Sequence, residues 1–215
     1  MRNSRSQSLS FQLPLPDTCY TLRVKDIIGA TTVVLGLFAY IPYLRDLFRR
    51  KIQPHPYSWF VWGLTASIMF ALQITNGGGA MSWSTLMVGL ISFFICAVSW
   101  RSGGKRIITR NDRVSFGAAL IATVLWVFAR EPTLSMLLLV CADLFGFIPS
   151  VRKTWRDPYS ETLTMWSINV LRHGLNIFAI TTYSLLTLVD PIVWAIGNLG
   201  FCLMVLVRRR VLRKA

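Results

Sequence analysis

Acidic side chains are scarce in this sequence: nine Asp and Glu stand against 23 Lys and Arg in 215 residues. Charged residues of both signs make up only 15% of the chain, well below the ~25% of an ordinary soluble domain. Histidine occurs twice, at His55 and His173, and cysteine four times, at Cys19, Cys96, Cys141 and Cys202. No two cysteines have CxxC spacing and three lie within apolar blocks, so neither a zinc site nor a disulfide framework is expected. HExxH and GxSxG are missing, as are paired carboxylates in the polar loops. These absences argue against an enzyme and give no reason to expect a cofactor or metal. Residues 1–26 lack the apolar run of a secretory leader, and this Ser- and Pro-containing stretch reads as a mobile tail.

What the chain has in quantity is apolar sequence, 53% of it hydrophobic and gathered into long blocks. About 18 such residues in a row suffice to cross ~30 Å of hydrocarbon as a helix. Seven blocks read as spans, at 27–48, 59–75, 82–100, 114–129, 133–155, 163–181 and 186–207. A spanning segment must satisfy its own backbone hydrogen bonds, so each is expected to be an α-helix. The net charge of +14 does not form one patch of the kind nucleic acid would need. It falls in clusters between apolar blocks: Arg45, Arg49, Arg50 and Lys51; Arg101, Lys105, Arg106, Arg110 and Arg113; Arg152, Lys153 and Arg156; and Arg208, Arg209, Arg210, Arg213 and Lys214. The alternate loops carry only Arg130. This alternation is the positive-inside pattern, with the C-terminus in the cytoplasm and the N-terminus outside a plasma (inner) membrane. Arg2, Arg5, Arg23 and Lys25 in the N-terminal tail run against it.

The sequence also repeats itself. Leu37-Phe38-Ala39-Tyr40-Ile41-Pro42-Tyr43-Leu44-Arg45 aligns with Leu144-Phe145-Gly146-Phe147-Ile148-Pro149-Ser150-Val151-Arg152. Pro56-Tyr57-Ser58 then aligns with Pro158-Tyr159-Ser160, each leading into a block with an early tryptophan, Trp62 or Trp166. Two three-helix units joined by one linker helix keep the same orientation across a membrane, and both matched loops are basic, as a parallel repeat requires. The fold class expected is an all-α membrane protein with seven transmembrane helices in a 3+1+3 parallel-repeat arrangement. Its parts are a tail at 1–26, a first bundle at 27–100, a linker helix with flanking loops at 101–132, a second bundle at 133–207 and a basic cytoplasmic tail at 208–215.

With that repeat the chain resembles the SWEET and PQ-loop (MtN3-like) superfamily of membrane transporters, from about residue 27 to residue 207. The resemblance implies a substrate site between two bundles and a proline in the first helix of each, here Pro42 and Pro149. The PQ dipeptide itself is absent, since Tyr43 and Ser150 follow those prolines. Sugar-transporting members carry an Asn on the third helix of each bundle; Asn198 fits this in span seven, whereas span three has none. No subfamily follows.

Ionisable groups at mid-bilayer are costly, so Asp143, Arg172 and His173 are expected to meet a partner or a cavity. Asn169, Arg172, His173 and Asn176 share one helical face at i, i+3, i+4 and i+7. Together with Asp143 and Asn198 they are expected to converge on the middle of the second bundle, either as an Asp143–Arg172 pair or as a site. Trp62, Trp166, Asn169 and Asn198 are the expected substrate contacts; Asp143, Arg172 and His173 are the expected charge or proton carriers, with His173 the better titrating group. A second stripe, Trp62, Thr65, Met69 and Gln73, runs along span two. Trp59, Trp83 and Trp100 read as interface anchors and His55 as a solvated loop residue. Pro42 and Pro149 remove a backbone hydrogen bond each and are candidate hinges. The expected partners are a small polar solute and the lipid bilayer, with no nucleic acid; a homo-oligomer is compatible. Transport by alternating access is the leading functional expectation, and a receptor or scaffold on the same fold is the alternative.

Overall fold

The computed structural model describes residues 16–75, 81–129, 131–180 and 183–214. These form seven α-helices: α1 Pro16–Phe48, α2 Pro56–Thr75, α3 Met81–Arg101, α4 Arg110–Phe128, α5 Pro132–Arg156, α6 Leu163–Ala179 and α7 Leu185–Lys214. A short 3-10 turn, Gly104–Ile107, links α3 to α4, entered through Gly103 at φ +99°, a left-handed conformation that glycine adopts without strain. There is no strand among the described residues. Within α1, α5 and α7, the segments Arg23–Phe48, Thr133–Arg156 and Thr187–Leu212 are long and apolar enough to cross a membrane, and Thr85–Arg101 forms a shorter apolar helix. The flanks of the helices expose large apolar side chains, including Phe38, Ile41, Ile121, Phe128, Leu203 and Val207. Apolar exposure on this scale marks a helical membrane protein.

Local sequence sets the helix ends. Thr109 and Asp112 cap α4 reciprocally: the Asp112 carboxylate accepts from the Thr109 N–H at 2.7 Å, and the Thr109 hydroxyl accepts from the Asp112 N–H. Glu131 caps α5 by accepting from the N–H groups of Thr133 and Leu134, with Pro132 in the first turn. That cap explains how so short a break separates two apolar helices. Two boundaries differ from expectation. The first helix begins at Pro16 rather than near residue 27, so part of the supposed 1–26 tail is helical. Nothing between Asp17 and Ile28 breaks a helix, and hydrophobicity marks only the stretch a membrane would cover. The basic 208–215 segment is likewise the end of α7, helical to Lys214, where arginines are good helix formers and suit the negative end of the dipole.

The packing pairs helices across the chain. α2 packs on α3, and α6 on α7; α1 packs on α6, and α5 on α2; α1 touches α3, and α5 touches α7. α4 lies against α5 and, less extensively, α2. Two glycines allow the cross-pairs to approach. A Cβ on Gly146 of α5 would stand 2.8 Å from Val61 of α2, and one on Gly36 of α1 would stand 3.1 Å from the Arg172 side chain of α6. Both α1 and α5 continue through their internal prolines, Pro42 and Pro149. The buried core gathers Tyr43, Trp59, Ile95, Phe147, Trp166 and Phe201.

Candidate functional site

A cavity of about 560 Å³ lies between the two halves of the chain. α6 lines it with Trp166, Asn169, Arg172, His173 and Asn176, the face that its spacing foretold. α5 contributes Asp143, and α7 contributes Asp190, Trp194 and Asn198 at i, i+4 and i+8. From the first half, α2 presents Trp59, Trp62, Thr65 and Met69, and α1 presents Thr32, Gly36 and Tyr40. All seven expected contact and charge residues therefore meet in one place. The expectation of a site in the middle of the second bundle is corrected, because α1 and α2 form the facing wall. The side chains of Gln73 and Trp83 lie outside the described residues.

The charged groups are arranged differently from the expected pair. Asp143 Oδ1 accepts from the Thr65 hydroxyl of α2 at 2.6 Å. Arg172 donates from Nε to Asn169 Oδ1 at 3.1 Å, and from a terminal nitrogen to His173 Nε2 at 2.7 Å. No Asp143–Arg172 ion pair forms among the described residues. Arg172 is drawn along its own helix and over Gly36, while Asp143 turns to α2. A guanidinium only donates, so His173 Nε2 accepts and the ring carries its proton on Nδ1, which is buried without a partner. Asn198 gives its amide N–H to the Trp194 carbonyl, and its Oδ1 is also buried without a partner.

Aromatic rings surround these groups. Trp62 has the rings of Trp59, Trp166, Trp194 and Phe147 at centroid distances of 5.1, 6.0, 6.0 and 6.1 Å. His173 stacks on Trp194 at 6.3 Å. Trp59 is thus not an interface anchor: it is buried and donates to the Tyr43 hydroxyl at 3.2 Å. Sequence reasoning missed Tyr40, Asp190 and Trp194. Asp190 stands before Pro191 and reads as punctuation, yet its i, i+4, i+8 series with Trp194 and Asn198 was a signal of the kind that exposed the α6 face.

Beyond the tryptophans, toward the basic ends of the helices, lies a second polar group of a different character. Lys153 Nζ donates to Glu161 Oε1, to the Gln53 carbonyl and to the Ser160 carbonyl, at 2.5, 2.5 and 3.2 Å. Glu161 Oε2 accepts from Trp166 Nε1 at 3.4 Å, so one tryptophan touches both groups. Arg152 grips Asp112 with two hydrogen bonds of 2.7 and 2.6 Å and also donates to the Ile107 carbonyl. Ser150 and Ser58 hydrogen-bond at 2.9 Å, and the Thr162 hydroxyl donates to Asp46. His55 is fully buried, not solvated, with Nε2 3.4 Å from Asp112. Burial, aided by Lys153 and Arg152 and opposed by Asp112, pushes its pKa down to about 4. Burial raises the Asp112 pKa, but the hydrogen bonds from Arg152 and Thr109 outweigh it and hold the carboxyl below its usual range.

These features define a helical membrane protein with an internal polar and aromatic cavity and, toward the basic ends of its helices, a separate buried hydrogen-bonded network. Comparison with family models, with curated proteins and with solved structures finds no match to this chain.

Proposed function

We propose that this protein is a small-molecule membrane transporter in which a polar solute binds between two three-helix bundles and access alternates around it. One observation carries this reading: a 560 Å³ cavity walled by both halves of the chain, with polar atoms buried in its lining that no protein group satisfies. Buried polar atoms left without partners are costly, and a ligand that pairs with them recovers that cost. The volume is that of an ordinary small-molecule site.

The helix pairings support a 3+1+3 repeat, because each pairing among the other six helices, α4 aside, maps onto another when α1, α2 and α3 are exchanged for α5, α6 and α7. The aligned Ala39 and Gly146 are both small and buried. On this reading all seven helices span, with the N-terminus outside and the basic ends in the cytoplasm. Pro42 and Pro149 occupy matched hinge positions. The solute carries an acceptor or anionic group for Arg172 and a donor or cationic group for Asp143 and Asp190, with its body against the tryptophan rings. With His173 accepting from Arg172, the two aspartates are the better proton carriers, which revises the expected choice of His173. The receptor or scaffold alternative is weakened because Arg152, Lys153 and Arg209 spend donors inside the protein rather than on a partner surface.

The test is solute flux into proteoliposomes from a panel containing glucose, glutamine and putrescine. Uptake of at least one solute is expected to exceed that of empty vesicles and to fall at least about tenfold in Trp62→Ala and Asn198→Ala, the scale of one lost buried hydrogen bond or ring contact. If every solute enters protein-containing and empty vesicles alike, the transport reading fails.

A further inference from the structure

A groove of about 770 Å³ runs along the outer face of α5 from Cys141 to Arg156, away from the cavity. Leu144, Phe145 and Ile148 line it and are exposed. From Leu144 to Trp155 the helix rises ~16 Å, close to the ~15 Å of hydrocarbon in one leaflet. The apolar wall ends at Trp155, over whose ring the guanidinium of Arg208 lies at 5.0 Å. Arg208 also donates from Nε to the Trp155 carbonyl at 3.0 Å, which ties the ends of α5 and α7 together. Arg156 is exposed beside it. Neither arginine has a carboxylate partner among the described ion pairs. Asp112 is paired with Arg152, and Asp157 accepts from the Tyr159 N–H.

We propose that this groove binds an anionic phospholipid, with an acyl chain along Leu144, Phe145 and Ile148 and its phosphate between Arg156 and Arg208. The sequence of surfaces matches that of the molecule: an apolar wall, an interfacial tryptophan, then the guanidinium of Arg156 in the groove and that of Arg208 over the tryptophan ring. Guanidinium groups bind phosphate through paired hydrogen bonds, and basic pockets between helices on the cytoplasmic side favour acidic headgroups. A second copy of the chain fits less well. In a symmetric pair of parallel chains the two basic mouths would face one another at the same depth, and like charges repel. The proposal depends on the membrane location and not on what the cavity carries.

The test uses the full chain purified in detergent, with native mass spectrometry and thermal unfolding in added phosphatidylglycerol or phosphatidylcholine of identical acyl chains. Phosphatidylglycerol is expected to stay bound and to raise the unfolding temperature by several degrees more than phosphatidylcholine. The double variant Arg156→Gln, Arg208→Gln is expected to weaken phosphatidylglycerol binding about tenfold or more, from ~1 kcal/mol for each arginine. Arg101→Gln, Arg106→Gln removes the same charge elsewhere and is expected to bind as the unaltered protein does. Ile148→Trp, which fills the apolar wall, is expected to weaken binding with the arginines intact. Equal binding of the two lipids, or equal loss in both double variants, overturns the proposal. So does a lipid-free dimer that crosslinks through Ile148→Cys.

Discussion

The cavity and the basic end of this protein are built from similar side chains put to opposite use. At the basic end Lys153, Glu161, Arg152 and Asp112 face inward and each has a partner of opposite charge. In the cavity Asp143, Asp190 and Arg172 share one space and form no ion pair among the described residues. The first group closes on itself. The second leaves Asn198 Oδ1 and His173 Nδ1 unpartnered. Buried charge is tolerated in the first region because each charged group has its counter-charge, and on the transport reading a bound solute would supply the missing partners in the second.

That contrast breaks most visibly at Glu161. Glu161→Ala strands Lys153 in a buried site and is expected to cost about 3–5 kcal/mol, roughly 10 °C in the unfolding midpoint for a chain of this size. Lys153→Met, Glu161→Leu removes both charges and is expected to recover more than half of that loss. A double variant no more stable than Glu161→Ala would show that the pair is not a closed unit.

His55 sharpens the contrast through pH. Its folded-state pKa of about 4 lies below the ordinary 6.5, so the unfolded chain takes up the proton first as the solution is acidified. The stability that neutral His55 contributes is complete above pH 6.5, declines from 6.5 to 4, and levels off below that. The loss amounts to about 3 kcal/mol at ~1.4 kcal/mol per pH unit. In His55→Gln, stability measured from pH 7 to pH 4 is expected to fall less steeply than in the unaltered protein by that amount. Parallel curves would place the acid sensitivity elsewhere.

The smallest effect is expected in the cavity. Asn198→Ala loses one amide donation to Trp194, while its oxygen has no bond to lose, so the cost is about 1 kcal/mol or less. The same change is expected to lower solute uptake at least about tenfold. A midpoint drop as large as that of Glu161→Ala would make Asn198 structural and end the contrast.

How far the sequence foretold these regions depended on whether one helix was enough. The cavity face of α6 could be read because Asn169, Arg172, His173 and Asn176 recur at helical spacing within a single apolar block. The absence of an Asp143–Arg172 pair could not be read, because equal depth does not fix rotation, and Asn169, His173 and Gly36 decide where the guanidinium turns. His55 looked solvated between two prolines because its burial comes from Asp112, more than fifty residues on, and from the end of α5. The helix ends at Pro16 and Lys214 were hidden for another reason: hydropathy marks where lipid would lie, and a helix can continue past it.

Trp166 belongs to both regions at once, its ring in the cavity wall and its Nε1 on Glu161. A group shared in this way obeys reciprocity. Whatever factor a bound molecule imposes on the strength of the Lys153–Glu161 closure by moving that indole, the closure imposes on the molecule's own affinity. On the transport reading, any change in binding made by loosening the network is matched by an equal effect of binding on the network, even though Lys153 and Glu161 do not line the cavity, and the 3.4 Å hydrogen bond is one link that joins the two.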